Sequence, residues 1–125
     1  MEIKKRSRQR EAILEVVQGT KCHPSTDWVY SEVRKIIPNI SLGTVYRNLN
    51  SLVEARRLDS LETALKEVRF DGDMSVHAHF VCDKCCKIYD MAIQSKVHRP
   101  DGFNVSHEKH IYYGLCKDCN NAEIK

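Results

Sequence analysis

The sequence predicts an α+β chain of two small modules: three short helices and a hairpin in front, and a strand-rich metal-binding half behind. Three observations carry this. Apolar residues recur at helical spacing in three stretches before position 55, and at alternating spacing after it. Two Cys-x-x-Cys units lie in the second half. The charge is also divided. Residues 1–57 hold 11 Lys/Arg against 6 Asp/Glu, a net +5, whereas residues 58–125 hold 9 against 11, a net −2. A basic front half and an acidic, His/Cys-rich back half suit a nucleic-acid-contacting module joined to a cation-binding one. At 125 residues the chain has the length of one average domain. Two modules of this size need support beyond their cores, which bound metal and self-association could supply.

The first helix is expected over 7–18, with Ser7 as N-cap, Gly19 as stop, and Ala12, Ile13, Val16 and Val17 on one face. The second is expected over 25–37, behind Pro24 and capped by Ser25 or Thr26. Val29, Val33, Ile36 and Ile37 form its buried stripe, and Pro38-Asn39 ends it. The third spans 41–54 with Ser41 as N-cap and Val45, Leu49, Leu52 and Val53 turned inward. Its other face presents Gly43, Thr44, Tyr46, Arg47 and Asn50. A tight turn before the third helix predicts a helix-turn-helix, and strands over 57–62 and 67–71 add a wing. Asp71-Gly72-Asp73 reads as a hinge. This puts the two domains at 1–71 and 74–125.

Beyond the hinge, 79–81 and 87–89 read as strands flanking a CxxC turn. A short helix is expected over 91–98 and a turn at 100–102. Strands over 103–106 and 109–115 lead into the second CxxC. No apolar run approaches membrane-spanning length, and Met1 to Arg10 has no signal-peptide pattern, so a cytoplasmic location without a membrane partner is expected.

Cys82-x-x-Cys85 and Cys116-x-x-Cys119 each let two thiolates chelate one ion from a tight turn, and two such knuckles complete a tetrahedral four-sulfur site. Structural Zn2+ is favoured because a closed site needs no redox change. Iron in the same geometry and a redox-active CxxC are the competing readings. Lys84, Lys87 and Lys117 are placed to offset the thiolate charge. Cys22 and Cys86 read as ordinary residues.

A second donor set surrounds the hinge. His77 and His79, at i and i+2 on a strand, face the same side and can chelate one ion. The knuckle folds the chain back, so the strand ending at Asp90 can lie beside them. Asp71 precedes them, and His23 lies just ahead of the second helix. Three imidazoles and two carboxylates without thiolates suit Fe2+, Mn2+ or Zn2+. His98 and His110 read as ordinary histidines.

Together, HPSTDWVYSEV, PNISLGTVYRNL, VRFDG, HAHFVCDKCCKIYD and IYYGLCKDC resemble the ferric uptake regulator family over nearly the whole chain. The resemblance implies a winged helix-turn-helix followed by an α/β dimerisation domain with a four-cysteine zinc site. It implies a homodimeric transcriptional repressor, not an enzyme, that binds a palindromic, AT-rich double-stranded operator when its regulatory metal is bound. Cys82, Cys85, Cys116 and Cys119 would hold structural Zn2+. His23, Asp71, His77, His79 and Asp90 would hold regulatory Fe2+ or Mn2+. Tyr46 and Arg47, with Ser41, Thr44 and Asn50 on the same helix, would face DNA, and Lys4, Lys5, Arg6, Arg8 and Arg10 would contact phosphates. The nearest pattern is the peroxide-sensing branch, which has Asp rather than Glu at the position of Asp90. Val76 and Ala78 do not supply the additional site common in iron-uptake members. In that branch Fe2+-catalysed oxidation of a ligand, here His23 or His77, releases DNA.

Several segments depart from the family pattern. The family's leading helix is expected to be mostly absent, because the chain starts close to RSRQREAIL. The wing ETALKE lacks glycines, Arg56-Arg57 stands where a glycine often ends the recognition helix, Cys86 replaces a glycine, and the stretch from Asp90 to Cys116 is short. The rival readings are an iron, manganese or zinc uptake regulator without peroxide sensing, a metal hydrolase using the N3O2 set, and a zinc-ribbon interaction module. No separate general base is evident for a hydrolase, and the basic front half argues against the ribbon.

Overall fold

The computed structural model describes residues 2–63, 65–75, 77–92 and 100–124. It is an α+β chain that divides into two compact units. One comprises Met1–Glu62 and Lys66–Met74; the other comprises Thr63–Leu65 and Ser75–Lys125. No helix of the described residues is long and apolar enough to cross a membrane.

In the first unit, α1 (Glu2–Gln18), α2 (Thr26–Arg34) and α3 (Leu42–Glu54) precede the hairpin β1 (Asp59–Glu62) and β2 (Val68–Asp71). The inward stripes meet in one core: Ile13 and Val17 from α1, Val29 and Val33 from α2, and Val45, Leu49 and Leu52 from α3 are all fully buried, with Leu58 and Phe70 closing it. Each such side chain stabilises the unit by roughly 1.5–3 kcal/mol.

Three helix boundaries differ from the sequence expectation or refine it. α1 starts at Glu2, so Ser7 lies inside it and is no N-cap; the Lys, Arg and Glu residues ahead of Ser7 are strong helix formers and carry the helix past it. α2 is capped by Ser25, whose hydroxyl accepts the Trp28 N–H at 3.3 Å, but it ends at Arg34 rather than 37. The chain tightens into a turn there, with Ile36 N–H bonded to Val33 O at 2.9 Å. Ile36 consequently points outward, 47% exposed, while Ile37 packs on the core. α3 is capped by Ser41, whose Oγ accepts the Thr44 N–H at 3.1 Å. It ends in a left-handed residue, Arg56, with φ 58°. Arg57 N–H bonds Leu52 O (2.8 Å) and Arg56 N–H bonds Val53 O (3.0 Å), the Schellman pattern that glycine usually serves.

The wing pairs antiparallel, Asp59 opposite Asp71 and Glu62 opposite Val68. The segment before α2 adds to its edge: Ser25 bridges Arg69, and Phe70 N–H bonds Pro24 O at 2.9 Å.

The second unit is a three-stranded sheet, β3 (Ala78–Cys82), β4 (Ile88–Met91) and β5 (Ile111–Gly114), in the order β4-β3-β5. β3 is antiparallel to β4 and parallel to β5. A final helix, α4 (Lys117–Ile124), follows. Most of the helix expected over 91–98 lies outside the described residues, and Met91 ends β4 instead. The strand expected over 103–106 is absent: those residues are exposed coil after Gly102 (φ 82°). They pair with no neighbour among the described residues, and a strand without a partner leaves its N–H and C=O groups unmatched.

Candidate metal centres and nucleic-acid interface

The four cysteines converge because two knuckles hang from adjacent ends of one sheet. Cys82 closes β3, Cys116 follows β5, and the parallel register sets Cys82 opposite Gly114. Asp83 N–H bonds Gly114 O at 2.7 Å, which ties the first knuckle to β5. Cys86 N–H bonds Cys82 O, and Cys86 itself takes φ 63°, the left-handed residue that lets the chain return into β4. Cys119 sits in the first turn of α4, where i, i+3 spacing sets it beside Cys116.

The four Sγ atoms all lie within 4.8 Å of one another, with Cys85 Sγ to Cys116 Sγ at 3.8 Å. Zinc–sulfur bonds of about 2.3 Å in a tetrahedron put sulfurs about 3.8 Å apart. The electrostatics fit a cation too. Backbone N–H groups of Cys85 and Cys116 point at Cys82 Sγ (3.4 and 3.5 Å) and bring its thiol down to about 6. The Cys119 N–H and the Tyr89 hydroxyl lower Cys116. Burial and the neighbouring Cys116 push Cys119 up to about 12. The shifts favour the thiolate at Cys82 and Cys116 relative to an ordinary cysteine and oppose it at Cys119, the pattern of negative charge crowding one point, and such a point calls for a cation. The donor set and spacing fit Zn2+.

The nitrogen and oxygen donors divide between the two units. In the first unit, His23 and Asp71 are both buried, with Nε2 to Oδ2 at 3.4 Å. The edge pairing of 24–25 on β2 sets His23 beside the end of that strand, and Arg69 Nε–H donates to the His23 carbonyl. Asp71 Oδ1 accepts the Asp73 N–H at 2.9 Å.

In the second unit, β3–β4 pairing puts Asp90 directly opposite His79. His79 Nε2 lies 3.2 Å from Asp90 Oδ1, His77 Nε2 lies 3.5 Å from the same oxygen, and the two Nε2 atoms are 3.0 Å apart. His77 Nδ1 lies 2.7 Å from Ser75 O. A proton assigned to Nδ1 by that bond leaves the Nε2 lone pair directed at the same point. First-row divalent ions with bonds of about 2.1 Å hold adjacent donors about 3.0–3.4 Å apart, which the 3.0 and 3.2 Å distances match and the 3.5 Å distance slightly exceeds. His79 is buried, whereas Asp90 is about half exposed.

On α3, Gly43, Tyr46, Arg47 and Asn50 are exposed, Tyr46 at 56%. Ser41 serves the helix cap, and its Oγ also lies 2.8 Å from the Thr44 hydroxyl. Leu42, exposed one turn before Tyr46, extends this surface. Sequence reading missed it, although an apolar residue off the 45–49–52 stripe at a helix start was the available signal.

The ferric uptake regulator family model matches residues 3–113. The peroxide operon regulator of Bacillus subtilis is 34% identical over 121 residues, covering 92% of this chain and 83% of that protein. Among solved structures, the Campylobacter jejuni peroxide stress regulator superposes with a TM-score of 0.74 at 30% identity, covering 92% of this chain and 91% of that one. The Helicobacter pylori ferric uptake regulator, whose structure is described as revealing three functional metal binding sites, superposes with a TM-score of 0.73 at 28% identity over 95% and 88%. With its helix-turn-helix, its wing and its paired knuckles, this chain belongs to the ferric uptake regulator family.

Proposed function

We propose that the chain is a metal-dependent, DNA-binding transcriptional repressor that acts as a cytoplasmic homodimer and answers to peroxide. The observation that carries this is the triangle of His77, His79 and Asp90, three donors within 3.5 Å, in a unit that already has a separate four-cysteine cluster. A second metal-donor set apart from the structural one is what a regulated repressor needs. Asp rather than Glu at position 90, and the similarity to regulators named for peroxide, support the peroxide branch.

In this reading, residues 1–71 are the DNA-binding domain and 74–125 the metal-binding dimerisation domain. Cys82, Cys85, Cys116 and Cys119 hold structural Zn2+. His23 and Asp71 from the first domain join His77, His79 and Asp90 from the second in holding one Fe2+ or Mn2+. Donors from both domains on one ion restrain the hinge between them. That restraint sets the spacing of the two recognition helices in the dimer, which must match about one turn of DNA. Metal thereby shifts the population toward the DNA-competent form. Tyr46, Arg47 and Asn50 read an AT-rich palindromic operator, Ser41 and Thr44 shape the start of that helix, and the basic residues of α1 hold phosphates. Fe2+ held by these residues would supply the one-electron chemistry that activates hydrogen peroxide beside its own ligands. The net change would place one peroxide oxygen on a ring carbon of His23 or His77 while the other leaves as water, and the altered ring would bind metal less well and release the hinge.

The test is selection from a pool of randomised duplexes by the zinc-loaded protein, with and without Mn2+. Enrichment of a palindrome only with Mn2+ supports the reading. Equal enrichment without Mn2+ removes the regulatory site from it, and no enrichment at all removes DNA binding.

A further inference from the structure

The outward face of α3 carries one polar arrangement that capping does not explain. Arg47 folds back along its own helix toward the N-terminus. Its Nη2 donates to Thr44 Oγ1 at 3.3 Å, one turn earlier. Its Nη1 lies over Gly43, where a side chain would begin only 3.3 Å away. Thr44 is itself fixed: its N–H bonds Ser41 Oγ, its hydroxyl lies 2.8 Å from the same oxygen, and its carbonyl accepts the Asn48 Nδ2–H at 2.9 Å. An exposed Arg otherwise samples many rotamers, and ordering it costs up to about 2 kcal/mol.

We propose that Thr44 and Gly43 are positioning residues that hold the Arg47 guanidinium in one orientation at the start of the recognition helix, and that this sets how sharply the protein discriminates between bases. The inference rests on the DNA-binding reading. The N-terminal residues of a recognition helix are those that meet base edges. A guanidinium reads a base as a planar fork, so its angle matters; it holds a phosphate largely through charge, so its angle matters far less. Thr44 therefore acts on specificity with little effect on charge-driven affinity.

The experiment repeats the duplex selection with Mn2+-loaded wild type, Thr44→Val, Thr44→Ser and Gly43→Ala, with salt titrations on the best duplex. Thr44→Val removes the acceptor for Arg47 and keeps the N–H that caps the helix. It is expected to reduce discrimination at the position Arg47 reads by about fivefold, the worth of one solvent-exposed hydrogen bond. The dependence of binding on salt should stay unchanged, whereas Arg10→Ala, at a residue placed on phosphate, lowers that slope by about one. Thr44→Ser, which keeps the hydroxyl, should retain wild-type preference. Gly43→Ala, which improves helix propensity, should blur the same position and so separates positioning from folding. In the Arg47→Ala background, Thr44→Val should cost nothing further. Unchanged preferences in both Thr44→Val and Gly43→Ala would overturn the inference and leave DNA binding standing. A wild type that enriches no sequence would overturn the DNA-binding reading, and this inference with it.

Discussion

The two donor sets of the second unit hang on the same three-stranded sheet, yet they are held in different ways. The cysteine cluster is fixed by backbone: N–H groups of Cys85 and Cys116 already face Cys82, and two of the four cysteines, Cys82 and Cys116, are buried. The histidine set is fixed by the β3–β4 register and by the contact of His77 Nδ1 with the Ser75 carbonyl, and its carboxylate, Asp90, is about half exposed. Closed soft donors hold an ion as part of the fold, whereas open hard donors let it come, go and react. In the proposed reading, one β-sheet would thus carry a structural site and, apart from it, a responsive one.

The largest expected effect tests the structural half. Cys116→Ser removes a buried ligand that links β5 to α4. It should unfold the second unit, because zinc binding to such sites contributes on the order of 10 kcal/mol to folding. Limited proteolysis and far-UV circular dichroism would detect this, and a folded, zinc-free variant would break the contrast. Next comes His77→Ala, which should leave the fold and the zinc content intact while lowering affinity for Mn2+ by about 100-fold or more, on the scale of metal-ligand losses. Isothermal titration with zinc-loaded protein measures it, and unchanged Mn2+ affinity would remove His77 from the site. Smaller still is Tyr89→Phe. The Cys116 thiol holds the Tyr89 hydroxyl up to about 12, so losing that hydroxyl should speed zinc transfer to a chelator by about tenfold and leave Mn2+ binding unchanged. The smallest effect lies outside both sites: Arg56→Gly relieves a left-handed residue and should raise stability by about 1 kcal/mol in urea unfolding, with neither metal affected.

Legibility in the sequence followed the same division. The front core could be read because its stripes have helical period: Val45, Leu49 and Leu52 are buried where spacing put them. The four-cysteine cluster could be read because CxxC geometry is local. The pairing of His79 with Asp90 followed from the knuckle turning the chain back on itself. What escaped had no local signal or a misleading one. Ile36 has the right spacing, but its helix ends two residues earlier. The alternation over 103–106 found no partner strand among the described residues. α4 carries Asn120-Asn121 and little helix propensity, and the Cys116-to-Cys119 turn accounts for its position better than propensity does. Arg56 in a glycine conformation is imposed by the packing of Leu58 beyond it, fully buried in the core.

The measurement that tests the contrast most directly is mass analysis of the Fe2+-loaded, zinc-containing protein after a small excess of peroxide, prepared without oxygen. The account predicts one oxygen gained on the peptide holding His23 or His77, zinc retained, all four knuckle cysteines unmodified, and no such gain with Mn2+. Untouched histidines with zinc and operator binding intact would make the chain a metal-uptake regulator. Oxidised cysteines with zinc lost would contradict the account, placing the response in the structural site.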